Sequence, residues 1–169
     1  MLSAPNTFKP EMESALKSFL SVELVPSTCW FSNVRSHVSS EDWDRLRRMT
    51  YARAGRLCEI CCTGPGIRLD AHEVWHYDDE NLVQKLTGMQ ALCIDCHRVK
   101  HAGLAAVNGE IELVIKHLMK VNHWEEERAK VYLGGCFDVW ERRSASNWKL
   151  DISYLDPYAI RVISRRAPA

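Results

Sequence analysis

The sequence predicts an α+β fold, a mostly helical single domain whose helices wrap a small metal-bearing centre. Three observations carry this. Two Cys-x-x-Cys pairs and a run of histidines fall within residues 57–104. Segments with helix start and stop signals lie on both sides of that stretch. No repeat, low-complexity tract or clear linker divides the 169 residues, a length that suits one domain with a real core. The centre is assigned to residues 56–104; residues 1–55 and 105–169 are read as mainly helical elaborations of it.

Taken in order, "KPEMESALKSFL" reads as a short helix beginning after Pro10, and "VELV" (22–25) as a strand. "VPSTCWFSNVRS" carries turn formers and reads as a loop. "SSEDWDRLRRMTYARAG" starts on serine, has acids in its first turn and puts Trp43, Leu46 and Met49 on one side. Gly55 stops it, so it is a helix. "GEIELVIKHLMKVNHW" and "EEERAKVYLGGCFDVWERRS" read as two more helices, the second weakened by Gly134 and Gly135. "WKLDISYL" alternates as a strand does.

Composition narrows the class. With 46% hydrophobic and 26% charged residues the chain matches an ordinary soluble globular protein. No apolar run approaches the ~20 residues that span a bilayer, so no membrane partner is expected. The opening "MLSAPNTFKPEMESALKSFL" has prolines and glutamates where a signal peptide needs an unbroken apolar stretch, which points to the cytoplasm. Seven cysteines in a reducing compartment read as metal ligands or buried thiols before disulfides. The 22 basic and 22 acidic side chains balance, which argues against a strong sequence-blind DNA binder but leaves room for one basic face. Arg45, Arg47, Arg48, Arg53 and Arg56 follow one another with no acid between them. Arg47, Arg48 and Arg53 are the candidate phosphate contacts; the other reading is a solvated helix face.

Cys58 and Cys61 form one Cys-x-x-Cys pair, Cys93 and Cys96 the second. Two residues between thiolates let a tight turn aim both sulfurs at one ion, and two such knuckles complete a tetrahedral structural zinc site. Cys62 adjoins the first knuckle but lacks the spacing. Cys29 and Cys136 sit in apolar surroundings and read as core thiols. The second pair runs on as "CIDCHRVKH". His97 and His101 are four apart, so on a helix they share a face and can grip a second ion. A third ligand must come from elsewhere, and His72, between the knuckles in "LDAHEVWHYDDE", is the natural candidate.

The order CxxC, acid-Ala-His, then "LCxxCHxxxH" resembles the HNH nucleases over residues 56–104. The whole chain more loosely resembles short stand-alone bacterial proteins of that kind, through its "PxxCWxxNxRS"-like entry and its "WKLDISYL" ending. The resemblance implies a β-hairpin followed by an α-helix around one divalent metal, Mg²⁺, Mn²⁺, Ni²⁺ or Zn²⁺, held by His72, His97 and His101 (a ββα-metal core). It also implies hydrolysis of phosphodiester bonds in DNA. In many such enzymes a second histidine, the general base, follows the first metal ligand; here that residue is Glu73. The asparagine that steadies the hairpin should fall near Gly88, with Asn81 a substitute only if the loop is rebuilt. A carboxylate can take a proton from water, although near its ordinary pKa of ~4 it is a weaker base than imidazole near ~6.5. His76, four residues after His72, is the other candidate base, and Glu73 can instead be a metal ligand or orient a metal histidine.

Two functions are therefore open: a metal-dependent endonuclease, or a zinc-containing nucleic-acid-binding or protein-interaction module that has lost cutting. The intact histidine cradle favours the first. The substituted base and neutral charge favour the second. Trp43, Trp124, Trp140 and Trp148 read as core; Trp30 and Trp75 lie in polar contexts and can stack on a base, shield the metal or simply pack.

Overall fold

The structure, a computed structural model, describes residues 19–163. The helix expected around residues 10–20 lies almost wholly outside that range; its last two residues, Phe19 and Leu20, are not helical. The architecture is mixed α+β, about half helical, with one three-stranded sheet. Among the described residues no helix is long and apolar enough to cross a membrane.

Residues 22–25 form no strand, which corrects the expectation for "VELV". Their backbone groups are taken elsewhere. Val22 N–H donates to the Tyr132 hydroxyl and Glu23 N–H to the carbonyl of Lys100, while the Asn122 side chain satisfies both backbone groups of Leu20. The expected loop at 25–36 contains a 3₁₀ turn, Ser27–Cys29, and a short helix α1, Val34–His37, whose start is capped by Asn33 Oδ1 accepting from Ser36 N–H at 2.9 Å.

Helix α2, Ser40–Arg53, forms as its caps dictate: Ser39 Oγ accepts from Asp42 N–H, and the chain leaves through Gly55 at φ +60°. Leu46 is buried and Trp43 packs beside it, but Met49 is 42% exposed. Thr50 takes the inward place instead, because its hydroxyl is satisfied by the Leu46 carbonyl at 2.9 Å.

Strands β1, Leu69–Asp78, and β2, Val83–Cys93, form an antiparallel hairpin in register from Leu69↔Cys93 to Asp78↔Val83. Thr87 is left unpaired between the Val74↔Gly88 and Trp75↔Leu86 pairs, a bulge. Strand β3, Lys149–Asp151, runs parallel to β2, so β1 is an edge strand among the described residues. The expected strand at 148–155 stops after three residues because Asp151 accepts the Ser153 N–H and turns the chain into a 3₁₀ segment, Ser153–Tyr158. The histidine run forms two short helices, α3 (Ile94–Lys100) and α4 (Ala102–Val107), hinged at His101. Helices α5, Ile111–Asn122, and α6, Glu126–Ser144, follow. Helix α6 runs unbroken through Gly134 and Gly135; each costs ~1 kcal/mol of propensity, offset by the buried Ala129 and Leu133 face.

Alternation along the hairpin feeds two apolar clusters. Leu92 joins Val99, Val114 and Leu118 in a cluster between the hairpin and α3, α5 and α6 that also takes in the cysteines. Ala71, Trp75, Leu86 and Met89 turn to the other face, against α2 and the C-terminal 3₁₀ segment.

Candidate metal centre

The sulfurs of Cys58, Cys61, Cys93 and Cys96 all lie within 4.8 Å of one another, three of the residues buried. The first knuckle is a tight turn in which Cys62 N–H donates to the Cys58 carbonyl at 2.9 Å. Cys62 itself has φ +58°, is exposed and stands outside the group. The second knuckle is the junction of β2 and α3, where Cys93 Sγ accepts from Cys96 N–H. Glu59 ties the knuckles together: its N–H donates to the Ala91 carbonyl, and its carboxylate accepts the Ala91 N–H at 2.6 Å. A hydrogen bond from Cys96 holds the Cys58 thiol well below its ordinary range, whereas burial and that neighbouring charge push Cys93 up. Four crowded sulfurs cannot all ionise unaided, and a soft cation is what lets them do so. The donor set suits one zinc ion. His117, from α5, approaches Cys96 Sγ at 3.2 Å, a contact with no signal in the local spacing.

The ligand atoms of His72, His97 and His101 form a second group within 4.8 Å. Strand β1 supplies His72, 3% exposed; α3 supplies His97; the α3–α4 hinge supplies His101, held in helical register by its N–H donating to the His97 carbonyl. Burial, then the neighbouring imidazoles, push His101 down to about 3, and burial lowers His97. Both are thus neutral at pH 7, the form that binds metal. His72 Nε2 lies 2.9 Å from Glu23 Oε2, while its Nδ1 is buried with no protein partner among the described residues. One ring nitrogen on a carboxylate and the other unpartnered is how a metal-ligating histidine is oriented. The three residues fit a divalent ion.

Glu23 is itself held by Lys100, whose Nζ lies 2.6 Å from Oε1 and also donates to Ser21 Oγ. Burial works against the Glu23 charge, but His72 and Lys100 outweigh it and keep the carboxyl below its usual range. Asp70 Oδ2 stands 3.5 Å from His97 Nδ1. Sequence reasoning missed Glu23 and Lys100. The available signal was a lone acid inside the apolar run "VELV".

A cleft of about 870 Å³ is lined by all three histidines and by β1 residues Ala71, Glu73, Trp75 and Tyr77. Because β1 is an edge, residues from both of its faces reach the cleft. Glu73 Oε1 accepts the Val34 N–H at 2.9 Å. Burial raises its carboxyl to about 7, against the backbone hydrogen bonds from Arg35 and Val34. His76 shares the strand face of His72 but is exposed, does not line the cleft and lies four residues on, ~13 Å along the strand. Gly88 pairs with Val74 beside the bulge. Asn81 is fixed in the hairpin turn by Asp78, ~20 Å or more along the strand from His72, too far to serve the histidines.

The arginine helix makes protein contacts. Arg47 pairs with Asp44, Arg48 Nε donates to the Asp44 carbonyl, and Arg53 reaches Glu59 and the Met89 carbonyl. None of the three lines the cleft, whereas the exposed Arg35, on α1, does. No family model matches the chain, and no curated protein or solved structure shows significant similarity to it.

Proposed function

We propose that the chain is an HNH-type endonuclease that hydrolyses phosphodiester bonds in DNA, built on a ββα-metal core stapled by a structural zinc on the four cysteines. One observation carries the reading: three histidines converge at the cleft, with a buried His72 Nδ1 that no group among the described residues satisfies. A scaffold that bound nothing there would leave that nitrogen at a cost of ~1–3 kcal/mol.

His72, His97 and His101 would hold a divalent ion such as Mg²⁺, Mn²⁺, Ni²⁺ or Zn²⁺, leaving positions for substrate. When bound, such an ion would supply Lewis acidity to a phosphoryl oxygen and to the leaving 3′ oxygen. Glu23 fixes the His72 ring, and Lys100 fixes Glu23. Glu73 accepts the proton of the attacking water, its carboxyl placed at the cleft and raised in basicity by burial. Arg35 meets a phosphate at the rim. The test is cleavage of plasmid and of single-stranded DNA by the purified protein with each of the four metals in turn. No cleavage with any of them, together with retained DNA binding, overturns the enzyme reading in favour of a zinc-containing binding module. The hydrogen bond that ties Glu73 to Val34 is what such a module would keep.

The base is tested separately. Glu73→Gln keeps the shape and still accepts the Val34 N–H, so a loss of ~10²–10⁴-fold in rate with unchanged DNA affinity is expected. Full activity in Glu73→Gln with loss in His76→Ala moves the role to His76. For the phosphate contacts, Arg35→Ala should weaken DNA binding evenly across sequences and reduce the salt slope by ~1. Replacing Arg47 and Arg48 should leave that slope nearly unchanged; a larger fall there returns the phosphate track to α2.

A further inference from the structure

Besides the histidines, the cleft is lined by residues that the proposed chemistry does not use. Tyr77 and Gln84 are directly opposed across β1 and β2 and both line the cleft. Gln84 is 1% exposed, yet neither its Oε1 nor its Nε2 has a hydrogen-bond partner among the described residues, and the Tyr77 hydroxyl is also buried and unpartnered. A buried amide left wholly unsatisfied is destabilising in the free protein, and together with an unsatisfied hydroxyl opposite it marks a place where polar atoms of a ligand belong.

Aromatic side chains line the same cleft. Trp30 and Trp140, from the 25–36 loop and α6, both donate their indole N–H to the Val25 carbonyl, at 3.1 and 3.0 Å, and both line the cleft. Trp30 is held this way with 60% of it exposed, which leaves a ring face free. Trp75 and Phe137 line the same space. The volume falls in the ~300–1,000 Å³ range of small-molecule sites.

An amide offers a donor and an acceptor side by side, the complement of a Watson–Crick edge such as adenine N1 and N6. Anchored indoles offer faces on which a base stacks. Within a duplex a base exposes neither its faces nor its Watson–Crick edge. We propose that the cleft receives one unpaired nucleobase, read by Gln84 and Tyr77 and stacked on the tryptophans, so that the preferred substrate is single-stranded or locally unpaired nucleic acid. This rests on the nuclease reading for the phosphate beside the base, but the base site stands on its own residues.

The test compares binding of short oligo-dA, its duplex with oligo-dT, and deoxyadenosine monophosphate, with no divalent metal added so that nothing is cut. The readouts are tryptophan fluorescence and anisotropy. Wild type should bind the single strand tighter than the duplex. Gln84→Met, which keeps the length and removes both polar atoms, should lose about tenfold or more in single-strand affinity while melting at the same or a higher temperature. Tyr77→Phe should move the same way by less, and covers the case in which Gln84→Met folds poorly. Equal binding of the mononucleotide would identify a nucleotide as the ligand and overturn the nucleic-acid assignment. Unchanged single-strand affinity in both variants, or a preference for duplex, overturns the base site while leaving the nuclease reading intact. If wild type cuts neither plasmid nor single-stranded DNA with any of the four metals but loses single-strand binding with Gln84→Met, the nuclease reading falls and the base site remains.

Discussion

Cys93→Ser is expected to lose the zinc and with it the folded centre, the largest single effect in the molecule. Cys93 ends β2, caps α3 and faces Cys61 at 3.6 Å between sulfurs, so it belongs to sheet, helix and metal site at once. Binding of a structural zinc is worth ~10–16 kcal/mol in small zinc domains at neutral pH. A whole domain is stabilised by only ~5–15 kcal/mol. Losing the ion is therefore enough to unfold the hairpin–α3 unit, and Cys58, Cys61 and Cys96 should behave alike. Cys62→Ser is the control: the side chain is exposed and outside the group, so zinc content and melting temperature should hold. Elemental analysis and thermal melts by circular dichroism decide. A Cys93→Ser protein that melts like wild type, or a wild type without zinc, sinks the staple.

How far the sequence reached follows from the range of each interaction. Helix α2 was legible because its determinants are local: the Ser39 cap, the acids of the first turn and the Gly55 exit lie within one stretch of chain. The cysteine and histidine groups were legible because ligand spacing encodes their geometry, two residues for a knuckle and four for a helix face. Its misreadings came from competition between local pattern and distant partners. Residues 22–25 have strand composition, but Tyr132 and Lys100 claim their backbone. The 148–155 segment alternates, but the Asp151 turn ends it.

The arginines of α2 formed an acid-free run in sequence, yet Arg47 turns back to Asp44 and Arg53 spans to Glu59. Glu23 lies 49 residues from His72 and 77 from Lys100, separations at which no motif can be read. The cleft itself is assembled from the 23–35 segment, α2, β1, β2, α3, α4 and α6, and only the fold brings these together.

That long-range support makes the second large prediction specific. His72→Ala should abolish binding of the second divalent ion and reduce cleavage at least a thousandfold, since metal contributes several kcal/mol to the transition state and each ~1.4 kcal/mol is tenfold. The zinc should stay, because the two groups share no ligand. Glu23→Gln separates orientation from ligation. It keeps a hydrogen bond to His72 but removes the charge that both the His72 ring and the buried Lys100 lean on. Metal affinity should fall ~10–100-fold, the usual effect of losing a carboxylate behind a ligating histidine. Stability should fall as well, since Lys100 is left buried without its counter-charge. Mn²⁺ titration by calorimetry on the zinc-loaded protein reads the first effect, and a thermal melt without added metal reads the second. Binding of Mn²⁺ by His72→Ala as tightly as by wild type would remove the histidine cradle from the metal site. A Glu23→Gln protein with full metal affinity but lowered stability would leave Glu23 as a partner for Lys100 alone.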